Sequence, residues 1–414
     1  MKKLLTSLII LLSMALGAQE KDSVLLAEYH ENLYRAGVNM SPYEYLPGAQ
    51  TAAPKGYKPF YISHYGRHGS RTGYDRGLYE RVRKRYDKAH EAGLLTPKGE
   101  EVRERVAEII RMHDGMDGRL TRLGTEEHRQ IAQRMYRNYS RVFRKGSKKV
   151  SAVSSMVPRC IISMNAATGQ ILSMQKDLDF YWDTGETFQK YISSGHSKEA
   201  KDSIKLIRKQ YWKEHPLNKE AFMELVFTQP AKARSAVGSI SSLMQDTFRM
   251  AMACGAMGLD DSLFRIFTDD DLYWLAQNIS LNFYLGQCNS VEFGAERLER
   301  ARPGLDDIVS KADAAIATGE FCADLRYGHD YHLLSLASLL GFEGVAERMD
   351  AKSCVSWHGW RYTPYAANIQ LIFYRNKKGD VLVKPLLNDR EVRILGLVGG
   401  PYYDWNAYKA YLGY

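Results

Sequence analysis

The 414-residue chain contains only five cysteines, and they lie far from one another. They lack the closely spaced pairs that zinc sites show, so the sequence predicts no metal site. The odd number leaves at least one thiol unpaired, while one or two disulfides are compatible with an exported chain. Spacing alone does not give the pairing. The cysteines are Cys160, Cys254, Cys288, Cys322 and Cys354.

Long apolar runs are also missing, because no segment reaches the roughly 18 apolar residues that a membrane span needs. The apolar stretch Leu4–Leu16 follows two lysines and precedes Gly17 and Ala18, a pattern typical of a signal peptide. We therefore expect residues 1–18 to be removed and the remaining protein to be secreted or periplasmic. No stable membrane insertion is expected.

The composition is basic, with a formal net charge of +9. This charge suits an anionic ligand, although scattered solvated side chains produce the same balance. The basic runs at 81–84 and 145–149 contain no interleaved aromatic residues and match no nucleic-acid-binding motif. We expect a small anionic partner and no nucleic acid, and the composition leaves the oligomeric state open.

The chain is longer than one hydrophobic core usually supports, which favours a large domain with an insertion. Strands are predicted between helices, and the last two form a hairpin, so the fold class is α/β with a mixed central sheet flanked by helices. Residues 164–321 have an almost wholly helical pattern and are predicted to form an inserted α-helical cap. The α/β core would then comprise 19–163 and 322–414. The predicted strands are 57–63, 150–154, 323–327, 368–374 and 381–386.

The sharpest motif is Tyr65-Gly66-Arg67-His68-Gly69-Ser70-Arg71, directly after a predicted strand. An imidazole nitrogen can attack phosphorus while guanidinium groups on either side hold the non-bridging oxygens. The motif resembles the signature of the histidine phosphatase superfamily, in its acid phosphatase and phytase branch: arginine, histidine, glycine, any residue, arginine. The branch commonly continues with any residue and then proline, where this chain has Thr72-Gly73.

Two more segments carry the resemblance. Tyr327-Gly328-His329-Asp330 ends a predicted strand, and the resemblance implies that His329 binds phosphate and Asp330 is the general acid. After another strand, Arg159 matches an arginine of the phosphate clamp, although Val153 stands where the family often has a further arginine. The dipeptide His113-Asp114, which no strand precedes, is interpreted as a surface pair.

Together these matches imply a phosphomonoester hydrolase that works through a phosphohistidine. His68 and Asp330 would be catalytic, and Arg67, Arg71, Arg159 and His329 would bind the phosphate. The guanidinium groups supply the positive charge that a metal provides elsewhere, so no cofactor is expected.

Substrate choice rests on Phe267–Trp274, Asn278, Tyr284–Gly286 and Leu387–Val392, which resemble segments of multiple inositol polyphosphate phosphatases. The resemblance favours inositol polyphosphates such as phytate. However, that group typically has a histidine, alanine, glutamate motif at the place of His329-Asp330. The histidine–aspartate pair of this chain instead fits a general acid phosphatase that acts on sugar phosphates or other small phosphomonoesters. A noncatalytic phosphate-binding protein is a further alternative, and a mutase-like transferase is disfavoured by the export signal and Arg71.

Overall fold

The computed structural model describes residues 21–73, 75–195 and 197–414, so the predicted signal peptide lies outside the described residues. The strands are β1 Lys58–Arg67, β2 Lys149–Ser154, β3 Asp179–Asp183, β4 Phe321–Gly328, β5 Asn368–Arg375, β6 Val381–Leu387, β7 Arg390–Glu391 and β8 Tyr403–Asp404. The helices are α1 Ser23–Glu31, α2 Arg76–Glu91, α3 Pro97–His113, α4 Arg122–Lys145, α5 Pro158–Met174, α6 Gln189–Ile192, α7 Lys198–Glu214, α8 Lys219–Val226, α9 Pro230–Val237, α10 Ile240–Cys254, α11 Asp269–Gln287, α12 Gly294–Thr318, α13 Asp330–Leu339 and α14 Trp405–Leu412.

All eight strands belong to one sheet in the order β3-β2-β4-β1-β5-β6-β7, with β8 paired to β6. The first four strands of this order are parallel, and β5 to β8 join antiparallel. The predicted class, α/β with a mixed central sheet flanked by helices, is confirmed. The parallel part matters for function, because ligands of such sheets bind at the carboxyl ends of the strands.

Helices cover both faces of the sheet, so the central strands are buried on both sides. Successive side chains of a strand point to opposite faces. Ile62 of β1 accordingly packs on the side of α4 and α5, and Tyr61 packs on the side of α12, α13 and α14.

A further hydrophobic cluster is built mainly from helices and joins distant parts of the chain. It contains residues of α1, α2 and α3 together with α8 to α11. The predicted cap, 164–321, therefore packs with helices that precede it in sequence. The expectation that this range lacks strands is wrong, because β3 extends the sheet beside β2. Its boundaries as a separate unit stay a prediction.

Local sequence sets where the functional helices begin. Thr121 caps α4, its side chain accepting a hydrogen bond from the Gly124 amide at 3.2 Å. Pro158 occupies the first turn of α5, where a missing N–H costs nothing.

In the part of the chain that the structure describes, no helix has the length and apolarity to cross a membrane. All five cysteines are buried free thiols, so the allowed disulfides are not formed.

Candidate active site

The predicted site residues lie at the carboxyl ends of three neighbouring parallel strands, β2, β4 and β1. Arg67 pairs in register with Gly328, and the His68 amide donates to the Gly328 carbonyl at 2.9 Å. His68 follows β1, His329 and Asp330 follow β4, and Arg159 lies in the first turn of α5, the helix after β2. Sheet topology thus brings together segments that are far apart in sequence.

His68 is buried and held in one tautomer. Its Nδ1 lies 3.0 Å from the Gly69 carbonyl oxygen, which can only accept, so Nδ1 carries the proton. The Nε2 atom therefore keeps its lone pair. Burial and the neighbouring guanidinium groups of Arg67, Arg71 and Arg159 hold the pKa of His68 well below its ordinary 6.5. The imidazole is neutral and nucleophilic even in acid.

Arg67 is the most constrained member of the cluster, with no exposed surface. Its Nη1 donates to the carbonyl oxygens of Asn39 and, at 2.8 Å, Thr363. Its Nη2 lies 2.9 Å from Oδ2 of Asp330. The Tyr365 ring lies below, with its centroid 4.7 Å from the Arg67 guanidinium carbon and 5.9 Å from that of Arg71. One aromatic face therefore supports two cations.

Two guanidinium groups have buried donors that the protein does not use. The Nε atoms of Arg67 and Arg159 have no hydrogen-bond partner among the described residues. Buried donors are almost always paired in folded proteins, so such groups indicate a missing acceptor. A tetrahedral oxyanion supplies several acceptor oxygens at once, and guanidinium groups bind such anions strongly.

His329 lies beside His68, with ring centroids 5.7 Å apart. Its Nε2 is 3.1 Å from the Ser155 hydroxyl, and its ring stacks on Tyr331. Its backbone amide donates to the Tyr65 hydroxyl at 3.1 Å. Burial and then Arg159 lower the pKa of His329 to about 4. It is a neutral hydrogen-bonding group until the pH is quite low.

Asp330 has a side chain that is 13% exposed, so it remains reachable from the cleft. Its Oδ2 accepts a hydrogen bond from the Asn39 amide at 3.1 Å, and its Oδ1 accepts one from the Tyr331 N–H at 2.8 Å. Burial alone would raise the pKa of Asp330, but Arg67 and the Asn39 hydrogen bond outweigh it. The pKa therefore lies below the ordinary 3.8, and the carboxylate is ionised near neutral pH.

Glu127, which no sequence motif indicated, supports the loop that follows His68. This fully buried carboxylate accepts hydrogen bonds from the Ser70 amide and hydroxyl, both at 2.7 Å, and from the Tyr43 amide at 2.9 Å. Gly69 and Gly124 touch backbone to backbone, and a Cβ on either residue would overlap the other segment. Glu127 lies one turn after Gly124, on the buried side of α4.

The interpretation of His113 as a surface residue is wrong, because the loop after Arg71 covers it. Its Nδ1 donates to the Ile109 carbonyl at 2.7 Å, and its Nε2 accepts from the Gly73 amide at 2.6 Å. This contact fixes the loop at Gly73, the position where the acid phosphatase branch commonly has proline. Asn39 and Tyr365 were also missed, since each comes from a segment without any recognisable motif.

Within residues 21–73, 75–195 and 197–414, no group of three or more histidine, cysteine, aspartate or glutamate side chains is arranged to hold a metal ion. The positive charge at the site comes from arginines. All six predicted site residues meet at this one edge of the sheet. The cluster combines a neutral imidazole, several guanidinium groups and a carboxylate, which are groups that can serve phosphoryl transfer.

Solved structures share this fold. The multiple inositol polyphosphate phosphatase of Bifidobacterium longum in complex with phosphate superposes with a TM-score of 0.73 at 19% identity, over 91% of this chain and 97% of that chain. Its complex with inositol hexasulfate gives 0.71 at the same identity and coverage. The phytase from D. castellii gives 0.64 at 13% identity, over 93% and 85%. No protein-family model matches the chain, and no curated protein matches it by sequence.

Proposed function

We propose that this chain is a phosphomonoester hydrolase of the histidine acid phosphatase type. One observation carries the proposal: a neutral His68 with a free Nε2 lone pair lies among three guanidinium groups, beside a carboxyl group at the mouth of the cleft. A phosphate-binding protein needs the cations alone. The nucleophile and the carboxyl group favour catalysis over binding.

In the first step, Nε2 of His68 attacks phosphorus and the bond from phosphorus to the ester oxygen breaks. Asp330 gives its proton to the departing oxygen, so an alcohol leaves and a phosphohistidine forms. Arg67, Arg71 and Arg159 hold the non-bridging oxygens with His329, and their charge is worth most in a dry site. No metal takes part in this step.

In the second step, the Asp330 carboxylate takes a proton from water while the water oxygen attacks phosphorus. The bond between phosphorus and Nε2 breaks, its electrons return to the imidazole, and inorganic phosphate leaves. Asp330 is then protonated for the next cycle.

The lowered pKa of Asp330 fits this cycle. The guanidinium groups that lower its pKa are the ones that a phosphate dianion neutralises on binding. Substrate binding therefore raises the proton affinity of Asp330, and the carboxyl group takes up its proton when the leaving group needs it. Catalysis in acid solution follows, because His68 stays neutral there.

Inositol polyphosphates, including phytate, are the substrate class that we propose. The support comes from the resemblance of the helical segments and of the β6–β7 hairpin, and from the likeness to a fold that holds inositol hexasulfate. Cleavage of sugar phosphates and other small esters is the second candidate, favoured by Asp330 in place of a glutamate motif. We further propose that the protein acts outside the cytoplasm after loss of residues 1–18.

The test is release of inorganic phosphate from an aryl phosphate between pH 4 and 6. Wild-type protein should turn over the ester, and His68→Ala should be inactive. Asp330→Asn should lose turnover by a factor on the order of 10² or more while still binding phosphate, by analogy with loss of one transition-state group. Full activity of His68→Ala would exclude the mechanism. A panel of phytate, sugar phosphates and bisphosphoglycerate then separates the two substrate classes.

A further inference from the structure

We propose that Asn39 is a positioning residue for Asp330, an inference that rests on the proposed function. Its side-chain Nδ2 donates to Oδ2 of Asp330 at 3.1 Å. The same oxygen lies 2.9 Å from Nη2 of Arg67, and the Asn39 carbonyl accepts from Nη1 of that arginine. One residue therefore holds both the acid and the guanidinium beside it.

These contacts fix the plane of the carboxyl group. Asp330 begins α13, and its Oδ1 accepts from the Tyr331 N–H at 2.8 Å. Without Asn39, the other oxygen would be oriented by Arg67 alone, whose nitrogens also serve the substrate. With Asn39, each carboxyl oxygen keeps a protein donor that does not also serve the substrate. A general acid must be within hydrogen-bond reach of the leaving oxygen, so its orientation affects the rate directly.

The backbone before Asn39 is strained in a way that serves this contact. Val38, in the 3-10 helical segment Leu33–Met40, has φ 50° and ψ −105°. Positive φ is rare for a β-branched residue, and such strain persists at functional sites when surrounding contacts hold it. Val38 is fully buried. The unusual backbone turns the carbonyl and the side chain of Asn39 toward Arg67 and Asp330.

Asn39 also favours the charged form of Asp330, since an amide N–H donates to a carboxylate. The other charged groups that act on this carboxyl are Arg67 of β1, Arg71 of the following loop, Arg159 of α5 and the adjacent His329. Burial opposes ionisation, and Arg67 is the strongest of the groups that favour it. Loss of the Asn39 side chain should therefore raise the proton affinity of Asp330. The rise should be limited, because the arginines that also favour the carboxylate remain in place.

The test compares Asn39→Ala with wild-type protein across the pH profile. Alanine keeps the backbone carbonyl that Arg67 uses and removes only the side-chain donor. We expect kcat to fall on the order of tenfold with KM within about twofold, because the clamp remains intact. The alkaline limb of kcat/KM should move upward by about one pH unit, the size expected for one hydrogen bond to a charged group. Asn39→Asp should move it further, since it places a second carboxylate beside the first.

Asn32→Ala is the matched control for simple loosening of the segment. The Asn32 side chain caps the same 3-10 segment: its oxygen accepts from the Tyr34 amide at 3.1 Å, and its Nδ2 donates to the Glu44 carboxylate at 3.3 Å. This variant should lower the thermal midpoint without moving the pH profile. Equal displacement of the profile by Asn32→Ala and Asn39→Ala would overturn the proposal.

A double-mutant cycle completes the test. If Asn39 acts through Asp330, the Asn39→Ala change should have almost no further effect on kcat in the Asp330→Asn background. Additive losses would contradict a positioning role. An inactive wild-type protein would overturn the proposed function and this inference with it. An active wild-type protein with an indistinguishable Asn39→Ala variant would overturn the inference alone.

Discussion

Tyr365 offers a direct test of how the cationic clamp is held. Replacing it with leucine keeps an apolar side chain in the core and removes the aromatic face beneath Arg67 and Arg71. The ring lies 4.7 Å from the nearer guanidinium carbon and 5.9 Å from the farther one. A desolvated cation–π contact is worth about 2 kcal/mol, and one near the 6 Å limit about half of that. Both contacts are lost in Tyr365→Leu.

The upper bound on the effect is therefore about 3 kcal/mol, which corresponds to a roughly 150-fold fall in kcat/KM. Part of this energy holds the arginines in the free protein as well as in the transition state. We expect a 10- to 100-fold loss in kcat/KM for an aryl phosphate, with a lower thermal midpoint from the changed core volume.

Tyr365→Phe is the matched control, because it keeps the ring and removes a hydroxyl that reaches the Arg71 carbonyl only at 3.5 Å. This variant should retain kcat/KM within about twofold. Circular dichroism should establish that both variants fold. A folded Tyr365→Leu protein with the kcat/KM of Tyr365→Phe would refute the support that we assign to the ring.

Two further predictions concern buried groups around the site. Glu127→Ala leaves three buried donors without their acceptor, so urea unfolding should show a loss of about 3 kcal/mol or more, and phosphate release should fall with it. Burial lowers the pKa of His64 and His128 to about 3 each, below the unfolded 6.5. Their contribution to stability is complete above pH 6.5 and is lost as the pH falls toward about 3, at about 1.4 kcal/mol per pH unit for each histidine. Unfolding measured over this range should show a shallower slope in His128→Leu, and an unchanged slope would contradict the assignment.

The central strands were predictable because each is a short apolar run between turns or helices. β1, β2, β4, β5 and β6 all lie within a few residues of their predicted positions. β3 was missed for a physical reason: it forms the sheet edge, and four of its five residues are exposed. An edge strand needs no apolar pattern, and its backbone pairing with β2 leaves no trace in the sequence.

The site shows the same division. His68, Arg159 and Asp330 were predictable because they are polar or charged residues just after apolar strands. Packing alone does not require such residue types there. Asn39 and Tyr365 escaped because an asparagine and a tyrosine are ordinary residues in their segments. Their roles come from tertiary contacts with residues hundreds of positions away, and no local pattern records such contacts.

The place of β1 in the sheet governs when the protein can become active. This strand is made early, yet its two neighbours, β4 and β5, follow only after residue 320. A growing chain must keep β1 unpaired through most of its synthesis, and pairing over such a sequence separation is slow. Truncation before β5 would leave an open hydrophobic edge that invites aggregation. The sheet edge that carries His68 is thus formed only after β4 and β5 have been made.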